Sequence, residues 1–311
     1  MSFEPRVAIL PRFQAEYADA VTASGGSVVN LNSETNAIVW TDSQAPGELA
    51  AILAANPQIS WVQLPFAGVD NFKAVFDQVL GSGQDCVFTS AKGAYREPVA
   101  EHALMLALAL ARALPKRIRA TSWGEKFAET LFDADVLIVG GGGIAEEIAR
   151  LIAPFRARIT VIRRESKPVA GVDRVVTVSE IDSVLPGADF VFVAAALTEE
   201  TRGLFDADRF ALMKPTSYLV NIARGPIVDS AALEAALLGG VIAGAGIDVT
   251  DPEPLPVGHP LWNVPNLIIT PHTADTPEMC VRLLCERIVE NVQFLSSAKP
   301  LVGQVNLQLG Y

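Results

Sequence analysis

Three charged side chains in the C-terminal half of the sequence could together handle a small acidic molecule. They are Arg224, Glu253 and His272, and the apolar runs that precede them are Tyr218–Ile222, Ala243–Ile247 and Leu267–Ile269. The planar fork of an arginine grips a carboxylate at two points, and a histidine gives or takes a proton near neutral pH. A carboxylate beside the histidine favours its charged form. The three residue types therefore predict an anion clamp and an acid–base pair.

Each of these residues also has an ordinary alternative. Arg224 by itself could be a surface arginine, Glu253 a solvated loop carboxylate and His272 a structural histidine. Their position after three consecutive apolar runs favours a joint function, because ligands bind beyond the carboxyl ends of the strands of a parallel sheet.

A glycine-rich turn lies upstream, between a run of β-forming residues and an amphipathic helix pattern. From residue 136 onward it reads VLIVGGGGIA. Gly140 permits a tight turn, Gly142 lets the backbone approach a pyrophosphate, and Ala145 is small enough for the helix to pack on the strand. N–H groups at the start of the helix, those of Gly143 and Ile144 among them, would bind the phosphates. The turn therefore predicts a dinucleotide site.

The end of the next strand predicts which dinucleotide binds. An acidic residue about 20 positions beyond the glycine turn selects NAD, whereas an arginine there accommodates the 2′-phosphate of NADP. Arg163 occupies that position and is followed by Arg164, Glu165 and Ser166. We predict that NADP is preferred, with NAD possible because Glu165 could hold the ribose. The alternative is that the two arginines belong to a solvated loop.

Apolar runs alternate with helical patterns along the chain and predict a parallel sheet in each half. In the first half the predicted strands are Arg6–Leu10, Ser27–Leu31, Ala37–Trp40, Ser60–Leu64 and Cys86–Thr89, with helices over 13–23, 47–55 and 69–80. In the second half they are Val136–Val139, Ile159–Ile162, Phe190–Ala194 and the three runs named above. Six strands make a full dinucleotide-binding sheet.

A long helix from Pro98 to about Leu114 precedes the second sheet, and a final helix covers Thr276–Leu295. Because the final helix is too short to fold alone, we expect it to pack on the first domain. We therefore predict a dinucleotide-binding domain (98–270) inserted in a substrate domain (1–97 plus 271–311), with a cleft between them. The predicted class is α/β with two doubly wound parallel-sheet domains, a Rossmann cofactor domain inserted in a flavodoxin-like substrate domain.

The composition restricts the partners. The 311-residue chain has a net charge of −11, which argues against a nucleic-acid partner because phosphates require a basic face. No signal peptide is visible, and the longest apolar stretch, Ala103–Ala111, is too short to span a membrane. Cys86, Cys280 and Cys285 form no C-x-x-C pair. They predict reduced thiols in a cytoplasmic protein and no metal site.

Several segments, taken in order, resemble the D-isomer-specific 2-hydroxyacid dehydrogenase family. They are Leu64–Asp70 (the substrate-carboxylate loop), Pro98–His102 (the start of the interdomain helix), Leu197–Leu204 (after the fourth nucleotide-domain strand) and His259–Trp262 (before the last strand). The resemblance covers nearly the whole chain and is strongest from 135 to 275. It is closest to the glyoxylate/hydroxypyruvate reductase-like, NADP-preferring members.

The resemblance implies a role for each candidate residue. Arg224 would hold the substrate carboxylate and polarise its keto oxygen, His272 would be the general acid–base, and Glu253 would pair with it. Asp248 would hydrogen-bond the nicotinamide carboxamide, and Ala223 would also contact the cofactor. The reaction implied is hydride transfer between a nicotinamide cofactor and a 2-keto or D-2-hydroxy acid.

For the substrate the resemblance implies a second contact, from the backbone N–H groups of Ala67, Gly68 and Val69 to the carboxylate. The substrate side chain stays open, and the residues that could line its pocket are Trp61, Leu64, Phe66, Tyr95 and Met279. The family also implies a homodimer. The other two histidines, His102 and His259, are expected in structural positions.

Two other functions are compatible with the same template. A dinucleotide-sensing regulatory or scaffold protein could use this fold, but it need not retain Arg224, Glu253 and His272 together. A phosphite or formate oxidiser is a third possibility, although the formate enzymes are expected to carry Gln where Glu253 stands. The three charged residues favour the 2-keto acid reductase.

Overall fold

The computed structural model describes residues 4–310 and contains two all-parallel β-sheets. Its strands are β1 Arg6–Leu10, β2 Ser27–Val28, β3 Ala37–Trp40, β4 Trp61–Gln63, β5 Val87–Thr89, β6 Asp135–Val139, β7 Arg158–Ile162, β8 Arg174–Val176, β9 Phe190–Val193, β10 Tyr218–Asn221, β11 Gly244–Ile247 and β12 Leu267–Ile269. Its helices are α1 Ala15–Ala23, α2 Pro46–Ala55, α3 Lys73–Ser82, α4 Arg96–Ala111, α5 Leu114–Arg117, α6 Gly143–Ile152, α7 Ile181–Val184, α8 Ala207–Leu212, α9 Ser230–Leu238 and α10 Pro277–Ser296. Short 3₁₀ turns cover Asp70–Phe72, Ala153–Phe155, Val178–Glu180, Leu185–Gly187, Gly225–Ile227 and Pro260–Asn263.

The first compact unit combines the chain up to Tyr95 with the chain from Thr276 onward. Its strands pair in the order β2-β1-β3-β4-β5, which is the flavodoxin-like order. Helix α10 packs on α1, and α2 packs on α3. The core beneath α2 and α3 is aromatic, and the rings of Phe76 and Phe88 meet edge to face at 5.2 Å. Burial of these runs explains why the strands are continuously apolar.

The second compact unit runs from Arg96 to Asp275. Its sheet has the order β12-β11-β10-β9-β6-β7-β8, which is the 3-2-1-4-5-6 order of a Rossmann sheet with β12 added at one edge. Helix α4 packs on β10 and β11. This close approach requires the glycines of β11, because a Cβ on Gly246 would lie 3.0 Å from the Cβ of Leu106. The predicted fold class is thereby confirmed.

The second sheet differs from the prediction in one strand. It has seven strands rather than six, because Arg174–Val176 pairs with β7. This edge strand is three residues long and begins with an exposed arginine, so its sequence lacks the apolar run used to find the others. Helix α4 also begins at Arg96, two residues before the predicted Pro98, which lies inside its first turn. In the first sheet, β2 ends at Val28 and not at Leu31.

Side-chain caps fix the residues at which α9 and α10 begin. The side chain of Asp229 accepts hydrogen bonds from the N–H groups of Ala231 and Ala232, so α9 begins directly after the loop that follows β10. Thr276 caps α10, and Pro277 occupies its first turn, a position that proline favours. Among residues 4–310 no helix combines the length and the apolar character that crossing a bilayer requires.

The order of the second sheet brings the candidate residues together. Strands β10, β11 and β12 are neighbours and parallel, so the loops that follow them lie at the same end of the sheet, the carboxyl end of its strands. Arg224 follows β10, Glu253 follows β11 and His272 follows β12. The glycine turn follows β6 at that end of the sheet, with β9 between β6 and β10.

Candidate active site

The glycine turn between β6 and α6 is shaped by contacts with two neighbouring strands. The N–H of Gly140 donates to the C=O of Ile162 at the end of β7 (2.8 Å). Gly140 has φ +121°, and a Cβ there would lie 2.4 Å from the carbonyl oxygen of Ala194, beyond β9. Only glycine combines that conformation with so close an approach of two backbones. Ala145 is fully buried where α6 meets the sheet, which requires a small side chain.

Neither the backbone conformation nor a contact with the described residues requires glycine at position 142. Its backbone is extended (φ −94°, ψ −174°), and a Cβ there would meet nothing within 4 Å. The space over it therefore accommodates a group that approaches the backbone, as a pyrophosphate does in dinucleotide-binding turns. Gly143 and Ile144 open α6 directly behind it, so their N–H groups lie at the positive end of the helix. The turn fits the phosphates of a dinucleotide.

Arg163 lies across this turn. Its N–H donates to the C=O of Val176 (3.0 Å), and a Cβ on Gly141 would lie 2.9 Å from the Arg163 Cβ and 3.0 Å from its Nε. The arginine thus packs directly over Gly141. Glu165 has a different partner: Lys167 Nζ lies 2.5 Å from its carboxylate, and this hydrogen bond lowers the pKa of Glu165. The ion pair draws the carboxylate toward Lys167, a residue without a role in the sequence-based prediction.

Glu253 and His272 form a hydrogen-bonded pair between adjacent loops. Nδ1 of His272 lies 2.6 Å from Oε1 of Glu253, and the other carboxylate oxygen accepts the N–H of Thr250 at 3.2 Å. Both side chains are partly exposed, 43% for the histidine and 41% for the glutamate. With Nδ1 committed to the carboxylate, Nε2 is the ring nitrogen that remains for a ligand. The pair therefore fixes the orientation of the imidazole and leaves Nε2 for a ligand.

Arg224 lies on a loop that the side chain of Asn221 folds. The Asn221 amide donates to the C=O of Arg224 (3.1 Å), and its Oδ1 accepts the N–H of Ala223 (3.1 Å). A Cβ on Gly225 would lie 1.9 Å from the carbonyl oxygen of Thr250, so this loop packs against the loop that carries Glu253. Arg224 is half-buried and donates to the C=O of Ala223 (2.7 Å).

Asp248 ends β11 and is 2% exposed. Its carboxylate accepts hydrogen bonds from the Thr270 hydroxyl and from the N–H groups of Thr273 and Ala274. Nε2 of His102, from α4, lies 2.9 Å from Thr270 Oγ1 and 3.4 Å from Asp248 Oδ1. The sequence predicted a structural position for His102, and in the structure it contacts two residues at the ends of β11 and β12. His259 caps the 3₁₀ turn Pro260–Asn263.

The predicted carboxylate loop, residues 64–70, lies in the first unit. Its hydrogen bonds include those from the N–H of Leu64 to the C=O of Thr89 (2.7 Å), from the N–H of Ala91 to the C=O of Phe66 (3.1 Å), and from the Tyr95 hydroxyl to the C=O of Pro65 (2.6 Å). Ala67 and Gly68 are half-buried, and Val69 belongs to the core.

Three of the five residues offered as pocket-lining have structural tasks instead. Leu64 belongs to the core of the first unit, Trp61 is fully buried with its indole N–H bonded to Thr89 (2.8 Å), and the Tyr95 hydroxyl is bonded to backbone. Large aromatic side chains serve cores and pockets alike, so residue type could not separate the two. Phe66 and Met279 are exposed. Within residues 4–310 no group of His, Cys, Asp and Glu is arranged to hold a metal ion.

Comparison with known proteins shows the family. Residues 103–274 match the model of the NAD-binding domain of D-isomer-specific 2-hydroxyacid dehydrogenases. The chain belongs to this family. It is 33% identical to an uncharacterised protein encoded 3′ of proB in Corynebacterium melassecola, over 81% of this chain and 84% of that one. It is 34% identical to glyoxylate/hydroxypyruvate reductase B of Citrobacter koseri, over 72% and 70%.

A solved structure agrees over the whole length of this 2-hydroxyacid dehydrogenase. The crystal structure of a D-isomer-specific 2-hydroxyacid dehydrogenase from Xanthobacter autotrophicus Py2, in complex with NADPH and MES, has a TM-score of 0.85 and 28% identity. The match covers 99% of this chain and 100% of that chain. The protein is therefore an NAD(P)-dependent oxidoreductase of a family that acts on small 2-keto and 2-hydroxy acids.

The sequence-based prediction overlooked the residues that support the site of this dehydrogenase. Asn221, Thr270 and Gly225 adjoin or lie within the motifs that were recognised, so their position was a usable signal. His102 also lies in a recognised segment, Pro98–His102, but that segment is on α4 and far along the chain from Asp248, so nothing in the sequence indicated their contact. Its proximity to Asp248 depends on how α4 crosses the sheet.

Proposed function

We propose that this dehydrogenase reduces a small 2-keto acid, with His272 as the proton donor to the emerging alkoxide. The observation that carries the proposal is the 2.6 Å hydrogen bond between His272 and Glu253 at the carboxyl end of the strands, beside the loop of Arg224. A positioned imidazole can transfer a proton to an alkoxide, and the bond from Nδ1 to Glu253 leaves Nε2 for that task. Bound nicotinamide dinucleotide would supply the hydride.

In this proposal Arg224 grips the substrate. Its guanidinium offers two parallel N–H groups to a carboxylate and a donor to the keto oxygen. We propose glyoxylate or hydroxypyruvate as the substrate, since relatives such as the Citrobacter protein bear the names of those acids.

A panel of 2-keto acids tests this proposal, with loss of reduced-cofactor absorbance as the assay. We expect His272→Ala and Arg224→Ala to lower kcat/KM on the best acid by ~10²–10⁴-fold, with cofactor binding retained. His259→Ala is the matched control, because it removes a histidine that caps a 3₁₀ turn. Near wild-type turnover in either active-site variant would overturn the role assignment. Cofactor binding without reduction of any acid would favour a dinucleotide sensor.

We further propose that NADPH is preferred over NADH. The support is Arg163 packed over the phosphate turn, Arg164 beside it, and the ion pair that draws Glu165 toward Lys167. Two guanidinium groups suit a phosphate dianion. The related Xanthobacter enzyme was crystallised with NADPH. NADH stays possible as a weaker cofactor.

The test of cofactor preference compares kcat/KM for the two reduced cofactors in the wild type and in Arg163→Ala/Arg164→Ala. We expect the double variant to lose most of its advantage with NADPH while its activity with NADH is retained. Arg174→Ala is the control, because it removes an exposed arginine from the edge of the same sheet. A wild type that prefers NADH would overturn the proposal, as would an unchanged ratio in the double variant.

We also propose a homodimer formed through the segment after α5. Ile118, Trp123, Phe127 and Phe132 are all exposed there, and Trp123 is 91% accessible. Large apolar side chains grouped on a surface mark contact sites. Light scattering should give the mass of a dimer for the wild type and of a monomer for Trp123→Asp. Phe13→Asp, at an exposed aromatic residue elsewhere, should stay dimeric. A monomeric wild type would refute this proposal.

The cytoplasm is the location we propose. Cys86 and Cys285 form no disulfide, and exported proteins commonly use disulfides, whereas cytoplasmic ones rarely do. Fractionation of the native host tests this location, and recovery of the protein from an exported fraction would contradict it.

A further inference from the structure

A buried carboxylate is bonded to the loop that carries His272. Asp248 Oδ1 accepts the Thr270 hydroxyl at 2.5 Å and the Thr273 N–H at 3.0 Å, and Oδ2 accepts the Ala274 N–H at 3.0 Å. The backbone C=O of Asp248 accepts the N–H of His272 at 2.8 Å. Asp248 therefore holds the loop on both sides of the histidine and at the histidine itself.

The protons in this cluster can be assigned. Burial alone would raise the pKa of Asp248, but hydrogen bonds from His102, Thr270 and the loop N–H groups lower it below its usual value. The carboxylate is therefore charged at neutral pH and only accepts hydrogen bonds. The Thr270 hydroxyl then donates to Asp248, which leaves Thr270 Oγ1 to accept a hydrogen bond from the N–H at His102 Nε2, 2.9 Å away.

His272 needs such support because of its backbone. Its φ is +52°, in the left-handed region that residues with a side chain seldom occupy. Such a conformation persists where surrounding contacts over-determine it. The N–H of His272 also lies 3.0 Å from the C=O of Thr270, which closes a tight turn around the histidine. A shift of this turn would move the ring away from Glu253.

We propose that His102, Thr270 and Asp248 form a hydrogen-bonded chain whose task is to position His272 for catalysis. The chain runs from α4, through the Thr270 hydroxyl, to the end of β11, and so ties the catalytic loop to two rigid elements. The inference rests on the proposed role of His272. It gives His102 and Thr270 a part in the reaction although neither is placed against the substrate. It also gives Asp248 a task separate from the cofactor contact that the family resemblance implies.

The experiment removes single hydrogen bonds and watches the histidine directly. The chain has three histidines, so protein labelled with ¹³C-histidine gives three ring signals, which His259→Ala and His272→Ala assign. Thr270→Val removes the hydroxyl and keeps the shape of the side chain, and Thr270→Ser restores the hydroxyl. His102→Leu removes the donor, and His102→Gln restores an N–H donor on the same helix. The signals are recorded without cofactor, and kcat and KM are measured separately.

We expect Thr270→Val and His102→Leu to shift and broaden the His272 signal and to lower kcat by about tenfold or more, since small misplacements of a catalytic group cost up to ~10²-fold. The KM for the cofactor should stay unchanged, and Thr270→Ser and His102→Gln should approach the wild type in both readouts. A His272 signal that does not move in Thr270→Val would overturn the inference. So would failure of Thr270→Ser to restore it. Failure of the proposed function would instead appear as activity in His272→Ala.

Discussion

A single methyl group on Gly141 should weaken the proposed preference for NADPH over NADH. Gly141 lies outside the left-handed region, so alanine can adopt its backbone without strain. The added Cβ would lie 2.9 Å from the Arg163 Cβ and 3.0 Å from its Cδ and Nε, closer than real carbon contacts allow. Arg163 would have to leave its place over the turn. Gly141 is then the residue that permits the arginine to reach the phosphate side.

The size of the effect follows from the bond that is lost. A hydrogen bond to a charged group contributes about 1.5–3 kcal/mol. Because Arg164 remains, we take the lower value, about 1.5 kcal/mol, which corresponds to about tenfold. The ratio of kcat/KM with NADPH to kcat/KM with NADH should therefore fall about tenfold in Gly141→Ala. The fall should come from NADPH alone, since NADH has no 2′-phosphate.

The neighbouring glycine supplies a matched control. A Cβ on Gly142 meets no protein atom within 4 Å, so Gly142→Ala should fold normally and obstruct only the shared pyrophosphate. We expect it to weaken NADPH and NADH alike, with their ratio retained. If Gly141→Ala kept the wild-type ratio, Arg163 would not contribute to cofactor selection from its position over Gly141. A ratio that changed in Gly142→Ala and not in Gly141→Ala would refute the reasoning entirely.

Three further predictions concern charge and burial. Glu253→Gln removes the carboxylate 2.6 Å from Nδ1 of His272, so the ring loses the partner that orients it and kcat should fall by about 10- to 100-fold; an unchanged kcat would exclude the pairing. The pKa of Asp248 is lowered in the folded state, so its charge stabilises the fold above about pH 4 and this is lost as the pH falls; urea unfolding should show Asp248→Asn less stable at pH 7 and less acid-dependent. Burial raises the pKa of the Cys86 thiol to about 12, so at pH 8 it should resist a disulfide reagent until the protein is unfolded, and Cys86→Ser should not alter thiol modification of the folded protein.

The fold could be predicted because its signals are local and repeated. Continuous apolar runs identified every strand of the second sheet except β8, and the strand–glycine–helix context located the dinucleotide turn. Strand β8 was missed because a short edge strand buries little and needs no apolar run. Trp61 was left open as a possible pocket residue and is fully buried, because an aromatic residue has the same sequence signature whether it faces a pocket or a core.

The residue types of the candidate site were predictable from the sequence, whereas the backbone conformation and side-chain packing that position them were not. The 2.6 Å contact between Glu253 and His272 follows from two neighbouring strand ends. The left-handed backbone of His272 does not, because it depends on the tertiary contact with Asp248. The position of Arg163 over Gly141 is likewise a property of side-chain packing. Sequence spacing specifies which elements meet, while the atoms that touch depend on how those elements pack.

In the site that we propose, the acting groups, which take part in the reaction, are more exposed than the supporting groups, which hold the backbone. Glu253 and His272 are partly exposed, whereas Asp248 and Asn221, which hold the adjacent backbone, are 2% and 1% exposed. This division has a physical reason. A proton donor must reach a ligand and be reached by water between turnovers, while a polar group that fixes a loop does so best where water cannot compete for its hydrogen bonds. Loss of a supporting group leaves buried donors unpaired and costs stability, whereas loss of an acting group mainly costs turnover. The chemistry of the enzyme can therefore be altered at the exposed pair with the fold retained, provided that the buried carboxylate and amide beneath it stay in place.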